Sequence, residues 1–137
     1  MATFNKFNSF VEAVAEKVHN LGSDTLTIAL CNSANAPVAG NTVLANLTQI
    51  SYANLSSRVI TTTSSVQTAG TYKLILADLI LTASGAVATF RYIVIYNDTA
   101  TNDELVGYYD YGSDLTLASG DTLTIDFDGS AGVLTIA

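Results

Sequence analysis

A chain of 137 residues with 5 Lys and Arg against 12 Asp and Glu carries a net charge of −7, and only 12% of its residues are charged while 49% are hydrophobic. Dispersed Lys6, Lys17, Arg58, Lys73 and Arg91 exclude binding to a phosphate backbone, which needs clustered basic residues. One cysteine excludes an internal disulfide, and one histidine excludes a site built from several imidazoles.

The length suits a single domain over 1–137, which buries about 68% of its unfolded surface and needs no staples. With so few charges, much of the outer surface must be neutral. No basic stretch followed by an apolar run opens the chain, and no segment approaches the ~18 apolar residues of a membrane span. The expectation is a protein made in a cytoplasm, with neither membrane nor nucleic acid as partner.

Phe4, Phe7, Phe10, Val11, Val14, Ala15, Val18 and Leu21 recur at three- and four-residue intervals, which predicts an amphipathic helix over 4–21. Thr3 suits its N-cap and Gly22 its left-handed stop, and Lys17 and His19 fall in the last turn, where the dipole favours cations. The apolar stripe has two readings. It covers the domain's own sheet, or it docks on a neighbouring subunit with Phe4, Phe7, Phe10 and Val11 as the partner contacts, a terminal arm being ordered only when tied down.

From Gly22 the period changes to two, which opens a β-domain over 24–137: Leu26, Ile28 and Leu30 alternate with Thr25, Thr27 and Ala29. Residues 32–46, with Pro37 and Gly40, read as a long loop, followed by a weaker strand near Arg58–Thr63. Tyr72–Leu81 and Phe90–Tyr96 are apolar on both faces, as central strands are, and antiparallel pairing across Ser84-Gly85 is their simplest connection. Asp78 marks a bulge or bend in the first.

Residues 97–102 form a polar loop, Leu105–Tyr111 a strand, and Gly112-Ser113 a turn. Leu115 and Leu117, then Leu123, Ile125 and Phe127, flank Ser119-Gly120-Asp121 as a hairpin, and Val133–Ile136 closes the chain. The predicted class is mainly β: a β-sandwich or jelly-roll-like domain preceded by one N-terminal amphipathic α-helix.

Reactive chemistry is thin. A nucleophile needs a neighbouring base and an orienting third group, and neither Cys31 nor any serine lies in such a motif, so no enzyme and no cofactor are expected. Asp126 and Asp128 stand before a glycine turn as candidate calcium ligands, although the downstream Glu of a calcium loop is absent; the alternative is solvent-facing Asp plus a turn. Asn97-Asp98-Thr99 with Asn102-Asp103-Glu104 poses the same choice. Tyr92, Tyr96, Tyr108, Tyr109 and Tyr111 suit sugar stacking or plain packing, and alternation sends Tyr109 and Tyr111 to one face and Tyr108 to the other.

The runs Phe10-Val11-Glu12, Glu16 to Leu26, Gly70 to Leu74, Phe90-Arg91-Tyr92, Tyr96 to Thr99 and Tyr109-Asp110-Tyr111-Gly112 resemble small virion structural proteins of tailed bacteriophages over nearly the whole length. The resemblance implies a non-enzymatic capsid cement or decoration protein: a β-rich homo-oligomer, a trimer by preference, bound outside the mature major capsid protein shell. It places the protein on the capsid surface of the virion after synthesis in the bacterial host cytoplasm, and it assigns no catalytic residue. Two alternatives stay open. One is a tail tube, connector or fibre component; the other is a carbohydrate- or calcium-binding lectin-like module using Tyr108–Asp110 and the Asp126–Gly129 turn.

Overall fold

The computed structural model describes residues 2–137. Its N-terminal segment departs from the helix expected over 4–21. Asn5 and Lys6 are extended and pair with Tyr108 and Gly107, and the helix α1 covers only Phe10–Ala15, burying Phe10 and Ala13. It stops at Lys17, whose φ of 67° is left-handed. The Val18 N–H reaches the Ala13 carbonyl at 2.8 Å and the Lys17 N–H the Val14 carbonyl at 3.4 Å, the paired bonds of a Schellman stop. The apolar spacing is real, but an edge pairing before the helix and a reversal five residues short of Gly22 divide it among three conformations.

A lysine in that left-handed position gives a first prediction. The Cβ clash costs roughly 1–2 kcal/mol, and glycine gives back about 0.5–1 kcal/mol through its freer unfolded chain. Lys17→Gly should therefore stabilise the protein by about 0.5–1 kcal/mol. Urea melts of the two proteins check this, and an unchanged or lower midpoint contradicts it.

Ten strands occur among the described residues: β1 (Asn5–Lys6), β2 (Leu26–Cys31), β3 (Val59–Ile60), β4 (Thr62–Thr68), β5 (Thr71–Leu76), β6 (Leu79–Thr82), β7 (Phe90–Asn97), β8 (Leu105–Leu115), β9 (Thr122–Ile125) and β10 (Leu134–Ile136). They form a five-stranded sheet in the order β1-β8-β7-β2-β3, a three-stranded sheet β10-β5-β4 and a two-stranded sheet β6-β9. Every pairing is antiparallel, so the chain is mainly β with several antiparallel sheets.

Alternation explains how the core is divided. Leu26, Ile28 and Leu30 of β2 share a face with Ile93, Ile95 and Val106, and that face packs with Leu74 and Leu76 of β5, Leu81 of β6 and Ile125 of β9. On the opposite face Ala29, Cys31, Val94, Tyr96 and Leu105 gather around Phe7, under Leu44 and Leu47 of the long loop. Strand β2 is therefore buried on both sides throughout, as a strand with two covered faces must be.

Three expected pairings are corrected. Tyr72–Leu81 is not one central strand: it breaks at Ala77-Asp78, where the Asp78 carboxylate accepts the Phe127 N–H at 3.0 Å, and its halves join different sheets. Phe90–Tyr96 pairs with β2 and β8 rather than with Tyr72–Leu81. Strand β2 is buried on both faces, and β5 and β6 each fully bury residues on one face only, so β2 is the better neighbour for a strand that must be covered twice. The Ser119-Gly120-Asp121 turn forms, with the Asp121 carboxylate capping the Ala118 N–H at 2.8 Å, yet β9 leaves it to pair with β6 rather than with Leu115 and Leu117.

Gly112-Ser113 is a bulge inside β8 rather than a chain reversal. Two steps along β7, from Tyr92 to Phe90, face five along β8, from Asp110 to Leu115. Asp110 pins the bulge: it accepts the Gly112 N–H at 2.8 Å and N–H groups from Nε and Nη2 of Arg91 at 2.8 and 3.0 Å. The Arg91 contact and then the Gly112 bond hold the Asp110 carboxyl below the usual carboxylate range.

Candidate functional site

The four residues expected to meet a partner do not form one surface. Phe7 is fully buried and Phe10 is 4% exposed, both in the chain's own core, so their rings are unavailable to a second molecule. Phe4 is half-buried with its ring 5.6 Å from that of Tyr109, and it lies over Gly107, where a Cβ would collide with the ring. Val11, 55% exposed, is the one of the four that faces outward. The stripe reading over 4–21 misled because only positions 10–15 are helical, so Phe4 and Phe7 take their directions from an extended segment.

The candidate calcium ligands also part company. Asp128 folds into its own turn, accepting the N–H groups of Ala131 at 2.7 Å and Ser130 at 2.8 Å, and those bonds hold its carboxyl below the usual range. Asp126 is exposed and lines a groove of about 440 Å³ beside Ile93, Tyr109, Tyr111, Leu123 and Thr124. No group of three or more His, Cys, Asp or Glu side chains suited to a metal occurs among the described residues. The expected division of tyrosines is seen: Tyr108 packs on Phe7, while Tyr109 packs between Phe4 and Phe127. Burial and then nearby Asp128 push the Tyr109 hydroxyl up to about 12.

The loop of Asn97 to Glu104, read in the sequence as a calcium site or a solvated loop tip, ties Asn97 into a polar cluster with His19 and Asp24, a long-range contact that local spacing does not reveal. Asn97 is fully buried at the end of β7. Its Oδ1 accepts the N–H groups of Thr99 and Ala100 at 3.0 and 3.1 Å, so its Nδ2 must face His19 Nδ1 at 3.0 Å and Asp24 Oδ2 at 2.6 Å. With Asn97 donating, His19 Nδ1 accepts and the ring proton sits on Nε2, a buried atom without a hydrogen-bond partner. Burial lowers the His19 pKa against the pull of Glu104 and Asp24, and the ring stacks 5.3 Å from Phe10. His19 is thus an internal support rather than a helix-end cation. Cys31 is likewise buried and free, its thiol pushed up to about 11 by burial.

The surface also offers uncharged apolar points. Val11, Val38, Val59, Val66, Ile80, Tyr111 and Ile136 are large apolar side chains at least 42% exposed. From Val59 to Tyr72 there is no charged residue, so β4 and the start of β5 are uncharged. Among the described residues no helix is long and apolar enough to cross a membrane. No protein-family model, curated protein or solved structure matches the chain.

Proposed function

We propose that this chain is a non-enzymatic assembly protein, a capsid cement or decoration component of a phage virion that self-associates and stabilises the mature shell through contacts. The observation that carries the reading is the sparsely charged surface, in which Val66 stands among the Thr and Ser of β4 and other valines, isoleucines and a tyrosine are exposed on the helix, a loop and further strands. Such a surface loses little solvation when covered, and each apolar side chain removed from water contributes at about 25 cal/mol per Å². The five-stranded sheet with the two smaller sheets across a shared core is read as a β-sandwich, a rigid block suited to repeated lateral contacts.

A cement protein works by linkage: it binds the assembled lattice and not its free subunits, so bound molecules stabilise the assembled state by mass action. Adding the protein to expanded phage capsids that lack it should raise their melting temperature, and failure to bind any capsid form would sink the proposal. The trimer expected from the resemblance suits local threefold axes. Location in the tail instead would appear as tail label in electron micrographs of tagged particles.

A second reading rests on the groove at Asp126. Tyr109 and Tyr111 present ring surface there beside a free carboxylate and the Thr124 hydroxyl, a combination that suits a sugar ring. A glycan array without a hit dismisses it.

A further inference from the structure

We propose that β4 is a self-association edge, at which two copies of this chain pair their β4 strands antiparallel about a twofold axis at Val66. The inference rests on the self-association part of the proposed function and names the surface that performs it.

Sheet edges expose unpaired N–H and C=O groups, and most edges in this fold are short or covered. Beyond the two residues of β3, the open side of β2 is closed by the loop: Ile50 N–H bonds the Leu30 carbonyl at 3.0 Å, and the Tyr52 hydroxyl accepts the Leu30 N–H at 2.9 Å. Strand β6 is flanked by Asn54 to Ser56, where Ser56 N–H reaches the Thr82 carbonyl at 3.0 Å and Ser84 N–H the Asn54 carbonyl at 2.9 Å. Strand β1 has two residues and β10 three, and β8 beyond β1 is distorted by its bulge.

Strand β4 has none of these protections. It runs seven residues, Thr62-Thr63-Ser64-Ser65-Val66-Gln67-Thr68, with no charge and no proline, and its irregularity is confined to the Thr62–Ser64 end. Thr68 and Thr71 close a two-residue turn in which Ala69 and Gly70 both have positive φ. By the alternation of an antiparallel ladder Thr68 and Val66 then bond to β5, and Gln67 and Ser65 direct their N–H and C=O groups outward. Those outward groups have no hydrogen-bond partner among the described residues.

A second copy is the occupant these features fit. Two chains of charge −7 repel, and the uncharged stretch between Arg58 and Lys73 lets their backbones approach with no like charges opposed. Rotation about Val66 sets Ser65 of each copy against Gln67 of the other, so the outward donors and acceptors satisfy each other. The same rotation lays the two Val66 side chains, each 55% exposed alone, against one another, with Ser64 opposite Thr68 on the same face. The product is one continuous six-stranded sheet.

Two variants test the contact by light scattering and sedimentation over a dilution series, with far-UV circular dichroism to verify the fold. Val66→Glu keeps a partner in its own chain, the facing Lys73, while opposing like charges across the twofold; its dimer dissociation constant should rise about tenfold or more. Ser65→Pro removes an outward N–H, which an edge strand tolerates, and should do the same. The wild-type chain should sediment as a dimer or an even-numbered assembly, in place of the trimer implied by the resemblance, and a trimer would overturn the contact. A wild-type monomer overturns the contact and the self-association beneath it. An oligomer unaffected by either folded variant overturns the contact alone and moves self-association to another surface.

Discussion

Phe7→Ala should destabilise the isolated protein by about 3–5 kcal/mol, a large share of the roughly 5–15 kcal/mol that holds a domain of this kind together. The ring is fully buried, sits 5.2 Å from that of Tyr108, and fills the second core cluster between Ala29, Cys31, Val94, Tyr96 and Leu105. Because the opposite face of the sheet belongs to a different cluster, neighbours from the main core have no path by which to fill the void. Truncation therefore costs the transfer energy of the ring and a cavity as well.

Val11→Ser, at the exposed end of the same stripe, should stay within about 0.5 kcal/mol of the wild type. Urea unfolding of dilute protein separates the two roles. A Phe7→Ala protein as stable as wild type but deficient in association would restore Phe7 as a partner anchor and contradict its place in the core.

Asn97→Ala should cost about 2–4 kcal/mol and should leave a distinctive dependence on pH. Removing the amide strips the acceptor from the Thr99 and Ala100 N–H groups and the donor from His19 Nδ1 and Asp24, and the imidazole is then buried with neither nitrogen satisfied. The expected loss exceeds that of an ordinary surface hydrogen bond because the abandoned groups cannot all reach water.

In the wild type, the buried His19 stays neutral at a pH where the unfolded chain takes up a proton, near 6.5. The unfolded state thus binds more protons below that value, and stability must fall as pH drops from about 6.5 through the lowered His19 pKa, then level off for this group. Asp110 and Asp128, with folded pKa values below the carboxylate norm, stabilise above about pH 4 and lose that contribution as pH falls through their own values. The steps are separate. Unfolding free energies from about pH 7 to about pH 5 should slope downward toward acid in the wild type and lose most of that slope in His19→Gln. A flat wild-type profile, or greater stability on acidification, would remove His19 from the account.

Much of the β architecture is legible in one-dimensional pattern. The strand at Leu26–Leu30, the doubly apolar Phe90–Tyr96 and the division of Tyr108 from Tyr109 follow from alternation along the backbone and are seen in the fold, and the bend expected at Asp78 is there as a full break between two strands. The candidate surface is less legible. Val11 is legible because it lies on a periodic stripe, whereas β4 is not, because Thr, Ser and Gln in a row announce neither a core nor a motif.

The sequence by itself determined the mainly β class, the acidic but sparsely charged surface, and which side chains share a face. Only the tertiary structure decided what each face meets. It chose β2 over β5 as the neighbour of β7, stopped the helix at Lys17, turned Phe7 inward, and joined His19 to Asn97 across 78 positions. The physical reason is range. Periodicity records the direction of a side chain relative to its immediate neighbours, but the energy that selects a strand partner or a buried polar contact comes from residues far along the chain, and no local spacing encodes it.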